Sequence, residues 1–143
     1  MLNPGLRSAC GVLLAVLVTS GCISDRAAAI RAEAEKITFP SGGHRFIMFA
    51  AAGSNNSATA QVAYAYPRSL NASQLFQQLE SSLQADGWHV HHEYDYTDDQ
   101  GWFHTSDSIQ RGHVAGGCVT QEGLGEESAN QEIVCTLNEI FPQ

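Results

Sequence analysis

The chain has 143 residues, 43% of them hydrophobic and 15% charged, with a formal net charge of −8 from seven Lys and Arg against fifteen Asp and Glu. That length holds one domain and excludes a multidomain enzyme, and the apolar content excludes a disordered chain. Seven scattered cations make no basic face, which excludes nucleic acid as a partner and a polybasic contact with a membrane.

Met1 to Ser8 carries one cation, Arg7, and Ala9 to Val18 is an apolar run. Ten such residues fall short of the roughly 20 that a spanning helix needs and suit the core of a secretory signal peptide. Val18-Thr19-Ser20-Gly21-Cys22 follows, with small residues directly before a cysteine. Over these first 22 residues the chain resembles the bacterial lipoproteins, a processing class defined by a lipobox; it departs from the pattern at Thr19, where leucine is commonest. The resemblance implies cleavage before Cys22, diacylation of its thiol and acylation of the new amino group, with palmitate among the chains. Ile23 after the cysteine, in place of Asp, implies by the same resemblance the outer membrane, facing the periplasm. The alternative is an ordinary signal peptide that happens to end in a cysteine. Two or three acyl chains hold a protein firmly, at about 0.8 kcal/mol per buried methylene. The expected organisation is a signal peptide at 1–21, a lipid-anchored tether at 22–37 and a globular domain at 38–143. Cleavage removes Arg7 and no acid, leaving 122 residues with a net charge of −9.

Ser24 to Lys36 is rich in alanine, glutamate and arginine, with Asp25 placed to cap a helix. Few large apolar side chains are present, so the segment reads as a partly helical tether that lifts the domain off the membrane; the alternative is a partner-binding helix. Pro40-Ser41-Gly42-Gly43 breaks the chain. His44 to Ala52 is apolar on both faces, which suits a central strand. Gly53 to Ser57 is a turn, and Thr59 to Tyr66 alternates as the second strand of a hairpin ended by Pro67. Leu70 to Ala85 is the clearest helix, with Asn71 as N-cap, Gln74 completing a capping box, an apolar stripe through Ala72, Leu75, Phe76, Leu79 and Leu83, and Gly87 closing it.

Trp88 to Tyr96 alternates again. Trp88, Val90, Tyr94 and Tyr96 make an apolar face that includes His92 as a half-buried packing residue, and His89, His91, Glu93 and Asp95 make the polar face. Thr97 to Gly101 turns the chain into a strand at Trp102 to Ser106, and two more strands lie near 112–121 and 131–140. The expected fold class is α+β: a small antiparallel sheet with one helix packed across it, in the order ββαββββ.

Of the four cysteines, Cys10 leaves with the signal peptide and Cys22 takes lipid. Cys118 and Cys135 remain, and an oxidising compartment favours a disulfide between them. In a hairpin where 118 faces 135, Gln121 faces Glu132 and the loop is about 122–131. Free thiols holding a metal are the rival, without a CxxC motif to support them. His89 and His91 project to one face of their strand, and such a His-x-His pair can bind zinc or copper, with His104 or His113 as a third ligand. A solvent-facing strand with histidine at its polar positions is the plainer reading. Asp95 to Gly101 fails as a calcium loop, because Gln100 and Ser106 stand where the glycine and the bidentate glutamate belong.

No Gly-x-Ser-x-Gly elbow or phosphate loop is present, and Ser106-Asp107-Ser108 lies too close in sequence to His104 to form a triad with it. These features predict no enzymatic activity. The acidic loop with Glu126 and Glu127 could meet a basic partner or simply be solvated, and Trp88 and Trp102 flank one hairpin, where an exposed tryptophan would mark a contact surface. The expected function is a non-enzymatic envelope lipoprotein that presents a small domain to a protein partner, as an accessory subunit or an inhibitor or immunity protein. The alternative is a metal-binding lipoprotein that uses the His-x-His strand.

Overall fold

The computed structural model describes residues 25–53, 57–123 and 130–140. The signal peptide, Cys22, and Glu126 and Glu127 of the acidic loop lie outside the described residues. In chain order the elements are α1 at 25–35, β1 at His44–Ala52, β2 at Ala58–Pro67, α2 at Ala72–Ala85, β3 at His89–Thr97, β4 at Phe103–Arg111, β5 at Val114–Glu122 and β6 at Asn130–Glu139. The six strands form one antiparallel sheet in the order β1-β2-β6-β5-β4-β3.

This architecture corrects the expected small sheet crossed by a single helix. Two helices pack on one face of a six-stranded sheet and share one core with it. The segment expected as a tether supplies the second helix. Ile30 and Ala34, one turn apart, are 3% and 1% exposed, and Ile37 just beyond the helix is buried with them. Composition hid this stripe because one isoleucine and one alanine look too slight to bury, yet a small side chain lets α1 approach closely. Ion pairs tie α1 to the sheet: Arg26 donates to Glu139 of β6 at 2.8 Å, and Arg111 of β4 donates to Glu33. Just after α1, Phe39 stacks on Tyr64 of β2 with ring centroids 4.2 Å apart.

A second correction concerns β1. Apolar residues on both its faces suggested a central strand, but it lies at the edge of the sheet, with no fully buried residue and with Phe49 54% exposed. The central strands are β6 and β5. Register shows why the core sits where it does. One row of neighbours across the sheet runs Ala60, Leu137, Gly116, Ile109 and Val90; the next runs Val62, Cys135, Cys118, Asp107 and His92. Both rows face the helices, where Leu75, Phe76, Leu79 and Leu83 of α2 pack. Cys118 and Cys135 form a disulfide inside this core, each 0% exposed, and Gln121 pairs with Glu132 farther along the same ladder. The Asn71 side chain accepts from the Gln74 N–H at 3.0 Å to start α2, and Gly87, at φ 83°, turns the chain out of it.

β3 departs from simple alternation. His92 pairs with Asp107 and Tyr94 with Ser106, which leaves Glu93 as an inserted residue in a β-bulge. An inserted residue moves everything after it to the other face. Trp88, Val90 and His92 therefore point toward the helices, whereas Tyr94 and Tyr96 point away, so the expected single apolar face is split in two. β4 also continues five residues past Ser106, to Arg111.

Candidate functional site

The bulge in β3 decides which side chains meet beneath α2. Glu80 lies beside the apolar stripe of α2, one turn after Phe76 and next to Leu79, and so reaches the sheet at its β3–β4 margin. His92 comes to the same place from β3, immediately before the bulge, and Asp107 from β4 as its direct partner. The ligand atoms of Glu80, His92 and Asp107 all lie within 4.8 Å of one another. His92 Nδ1 is 2.9 Å from Asp107 Oδ1 and 3.8 Å from Glu80 Oε1, and His92 Nε2 is 3.8 Å from Asp95 Oδ2.

Asp107 is the unusual member. It is 1% exposed, and its second oxygen, Oδ2, is buried without a hydrogen-bond partner. A buried carboxylate oxygen with no donor is costly. The neighbours respond to it. Burial, then the hydrogen bond and charge of Asp107, push the Glu80 carboxyl above its ordinary value. The hydrogen bond to Asp107 raises the His92 imidazole, which is itself half exposed. Above the three residues a cleft of about 300 Å³ is lined by Ser73, Gln77, Asp95, Phe103 and Thr105 as well as Glu80 and His92. The arrangement can hold a proton between two carboxyls, or a cation among three ligands drawn from three chain elements.

A second cleft, of about 500 Å³, lies at the turn end of the β3–β4 hairpin between Arg68, Asn71, Trp102 and Gln131. The Arg68 guanidinium sits 3.8 Å over the half-buried Trp102 ring. Asp98 builds this turn. Its Oδ1 accepts from the Gln100 and Trp102 N–H groups, each at 2.9 Å, and its Oδ2 is 2.8 Å from His104 Nε2. His104 also stacks on Tyr96, with ring centroids 4.7 Å apart.

The residues singled out from sequence are therefore dispersed. His89 and His91 are exposed on the face away from the helices, opposite Gln110 and Ser108, while His104 pairs with Tyr96 toward the other end of the hairpin. The structure does not gather these three histidines around one point. His113 lies in the β4–β5 turn. Trp88 is 3% exposed beneath the Arg111 guanidinium, 4.4 Å from its ring, so it offers no contact surface. Trp88 and Trp102 stand at opposite ends of the β3–β4 hairpin and do not pack together.

Sequence reading missed Glu80 and Asp107. Glu80 carries no motif that sets it apart from the other polar residues of α2. Asp107 was obscured because the expected strand ends at Ser106, which leaves Asp107 just beyond it, whereas β4 runs on to Arg111. Carrying the alternation of Phe103, Thr105 and Ile109 through that stretch would have put Asp107 on the apolar face, opposite His92. Comparison of the chain with protein-family models, with curated proteins and with solved structures finds no match.

Proposed function

We propose that the chain is a lipoprotein of the bacterial envelope, held in the outer membrane through acylated Cys22, which presents its domain to a protein partner in the periplasm without catalysing a reaction. The observation that carries this reading is the outer strand β3. Every one of its residues except Val90 is exposed, and Tyr94 and Tyr96, 49% and 54% exposed, stand together on the face away from the helices. Half-exposed tyrosines side by side give apolar area and hydrogen-bonding capacity at little cost in side-chain freedom, the composition of an interface core. An edge strand also offers unpaired backbone groups to an incoming strand. The disulfide between Cys118 and Cys135 agrees with export to an oxidising compartment.

Two measurements test the reading. A photocrosslinking amino acid at position 96 should give a discrete adduct with one envelope protein, and the same group at exposed Gln78 of α2 should give none. Adducts at neither position, or equally at both, would sink the binding role. Labelling with a fatty-acid analogue should mark the wild-type chain and fail on Cys22→Ala, which should also leave the membrane fraction; a labelled Cys22→Ala chain would sink the anchor.

A further inference from the structure

We infer that Glu80, His92 and Asp107 form a binding site for one divalent transition-metal ion of the zinc class, which clips α2 to the β3–β4 hairpin. The His-x-His pair of β3 has no part in it. Three observations lead there. The donors already converge: zinc takes imidazole nitrogen at about 2.0–2.1 Å and carboxylate oxygen at about 2.0–2.2 Å, so ligand atoms in a tetrahedral site stand about 3.4 Å apart. The separations here, 2.9 and 3.8 Å from His92 Nδ1 to the two carboxylates, straddle that value. Next, the orphaned Oδ2 belongs to Asp107, whose other oxygen and whose neighbour Glu80 already sit in this cluster. A buried carboxylate oxygen without a donor calls for a cation or a proton. Finally, two carboxylates share the site with one imidazole, and Asp95 stands 3.8 Å from the far side of that ring. No lysine or arginine lies among the residues of the cluster or of its cleft, so no fixed lysine or arginine charge competes with an ion for these carboxylates.

Donor chemistry selects the class of ion. Calcium takes six to eight oxygens, whereas this site offers one nitrogen and few oxygens. A mixed imidazole and carboxylate set of three with an open fourth position is a zinc arrangement, and the cleft lined by Ser73, Gln77, Glu80 and His92 has room for the water that would complete it. The sites of the three ligands, a helix and two adjacent strands, explain what the ion would do: it ties the exposed edge strand to the helix layer.

The test uses the full chain purified from membranes in detergent, without a histidine tag, stripped with a chelator and titrated calorimetrically with zinc chloride. One ion per chain is expected, and cobalt should give the visible absorption of a four-coordinate site. Glu80→Gln and His92→Asn alter partly exposed side chains, and circular dichroism confirms that each variant is folded. Each should weaken zinc binding by about a hundredfold or more, beyond the 10–100-fold that loss of a supporting partner produces. The His89→Ala/His91→Ala double variant should bind as the wild type does. Absence of stoichiometric binding, tighter binding of calcium than of zinc, or loss of binding in the His89/His91 variant with retention in Glu80→Gln would overturn the site. The first of these would leave a shared proton between Glu80 and Asp107 as what occupies it. The crosslinking test at Tyr96 is independent of all these outcomes.

Discussion

The β5–β6 and β3–β4 hairpins are built from similar lengths of chain and obey different rules. β5 and β6 pair over nine positions with no slip, and their helix-facing residues Cys118, Ile133, Cys135 and Leu137 are at most 1% exposed. A one-residue shift there would take every one of those side chains out of the core, so register is dictated by burial. β3 has a neighbour on one side only and carries a bulge at Glu93. An edge strand tolerates such an insertion because no second partner must stay in step, and the bulge then aims His92 at Asp107 while it turns Tyr94 and Tyr96 to the opposite face. The central hairpin thus supplies buried core, and the edge hairpin supplies the His92–Asp107 pair and exposed surface. The two meet in one row of the sheet, where Asp107 is the direct neighbour of Cys118.

The largest effect expected from this division is on the central hairpin. Replacing both cysteines, Cys118→Ala with Cys135→Ala, should lower unfolding free energy by about 2–5 kcal/mol in a urea titration, the usual cost of removing a native disulfide from a small domain. The bridge spans a sequence separation of 17 residues and both sulfurs lie inside the core. A loss below about 1 kcal/mol would mean that the unfolded chain is little constrained by the link. Next is Gly116→Ala. A Cβ at Gly116 would stand 1.9 Å from the Thr136 carbonyl oxygen, a backbone atom that yields only if the two strands part. Overpacking of this kind should cost about 1–3 kcal/mol, and a neutral result would show that the central pair is looser than its ladder implies.

The same contrast explains what could be read from sequence. The disulfide and its register were legible because the cysteine pair, the alternation around it and the facing of Gln121 and Glu132 all agree. The capping of α2 was legible because Asn71 and Gln74 act locally. The fold as a whole was not. Ile30 and Ala34 are too small a stripe to announce a packed helix, so α1 read as a tether. β1 read as central because apolar residues on both faces do not say how many neighbours a strand has. The β3 bulge leaves no mark in composition, and without it Tyr94 and Tyr96 seemed to belong with Trp88 and Val90. The cluster under α2 was hidden for a related reason: Glu80, His92 and Asp107 come from three elements, and only the docking of α2 on the β3–β4 margin brings them together.

On the edge hairpin, substitutions should change contacts more than stability. Tyr94→Ala with Tyr96→Ala removes two half-exposed rings and should shift unfolding free energy by no more than about 0.5 kcal/mol per site, while abolishing the adduct formed when the photocrosslinking amino acid is moved to exposed His91 on the same face. A large loss of stability would instead assign these rings to the fold.

The smallest effect concerns the turn that ends this hairpin. His104 donates to the Asp98 carboxylate, as do the backbone N–H groups of Trp102 and Gln100, and these bonds hold the Asp98 carboxyl below its ordinary value of 3.8. A carboxyl with a depressed folded-state value binds fewer protons folded than unfolded. Its contribution to stability is therefore present above the ordinary value and lost as pH falls through the depressed one. Asp98→Asn cannot ionise and lacks that contribution at any pH. The melting temperature of the variant should lie slightly below that of the wild type at neutral pH, and the difference should shrink as pH drops below 3.8 and then disappear. A difference that stays constant through the acid range would show that the carboxylate charge does not hold the turn, and that the edge hairpin owes its closure to Gly101 and to the stacking of His104 on Tyr96.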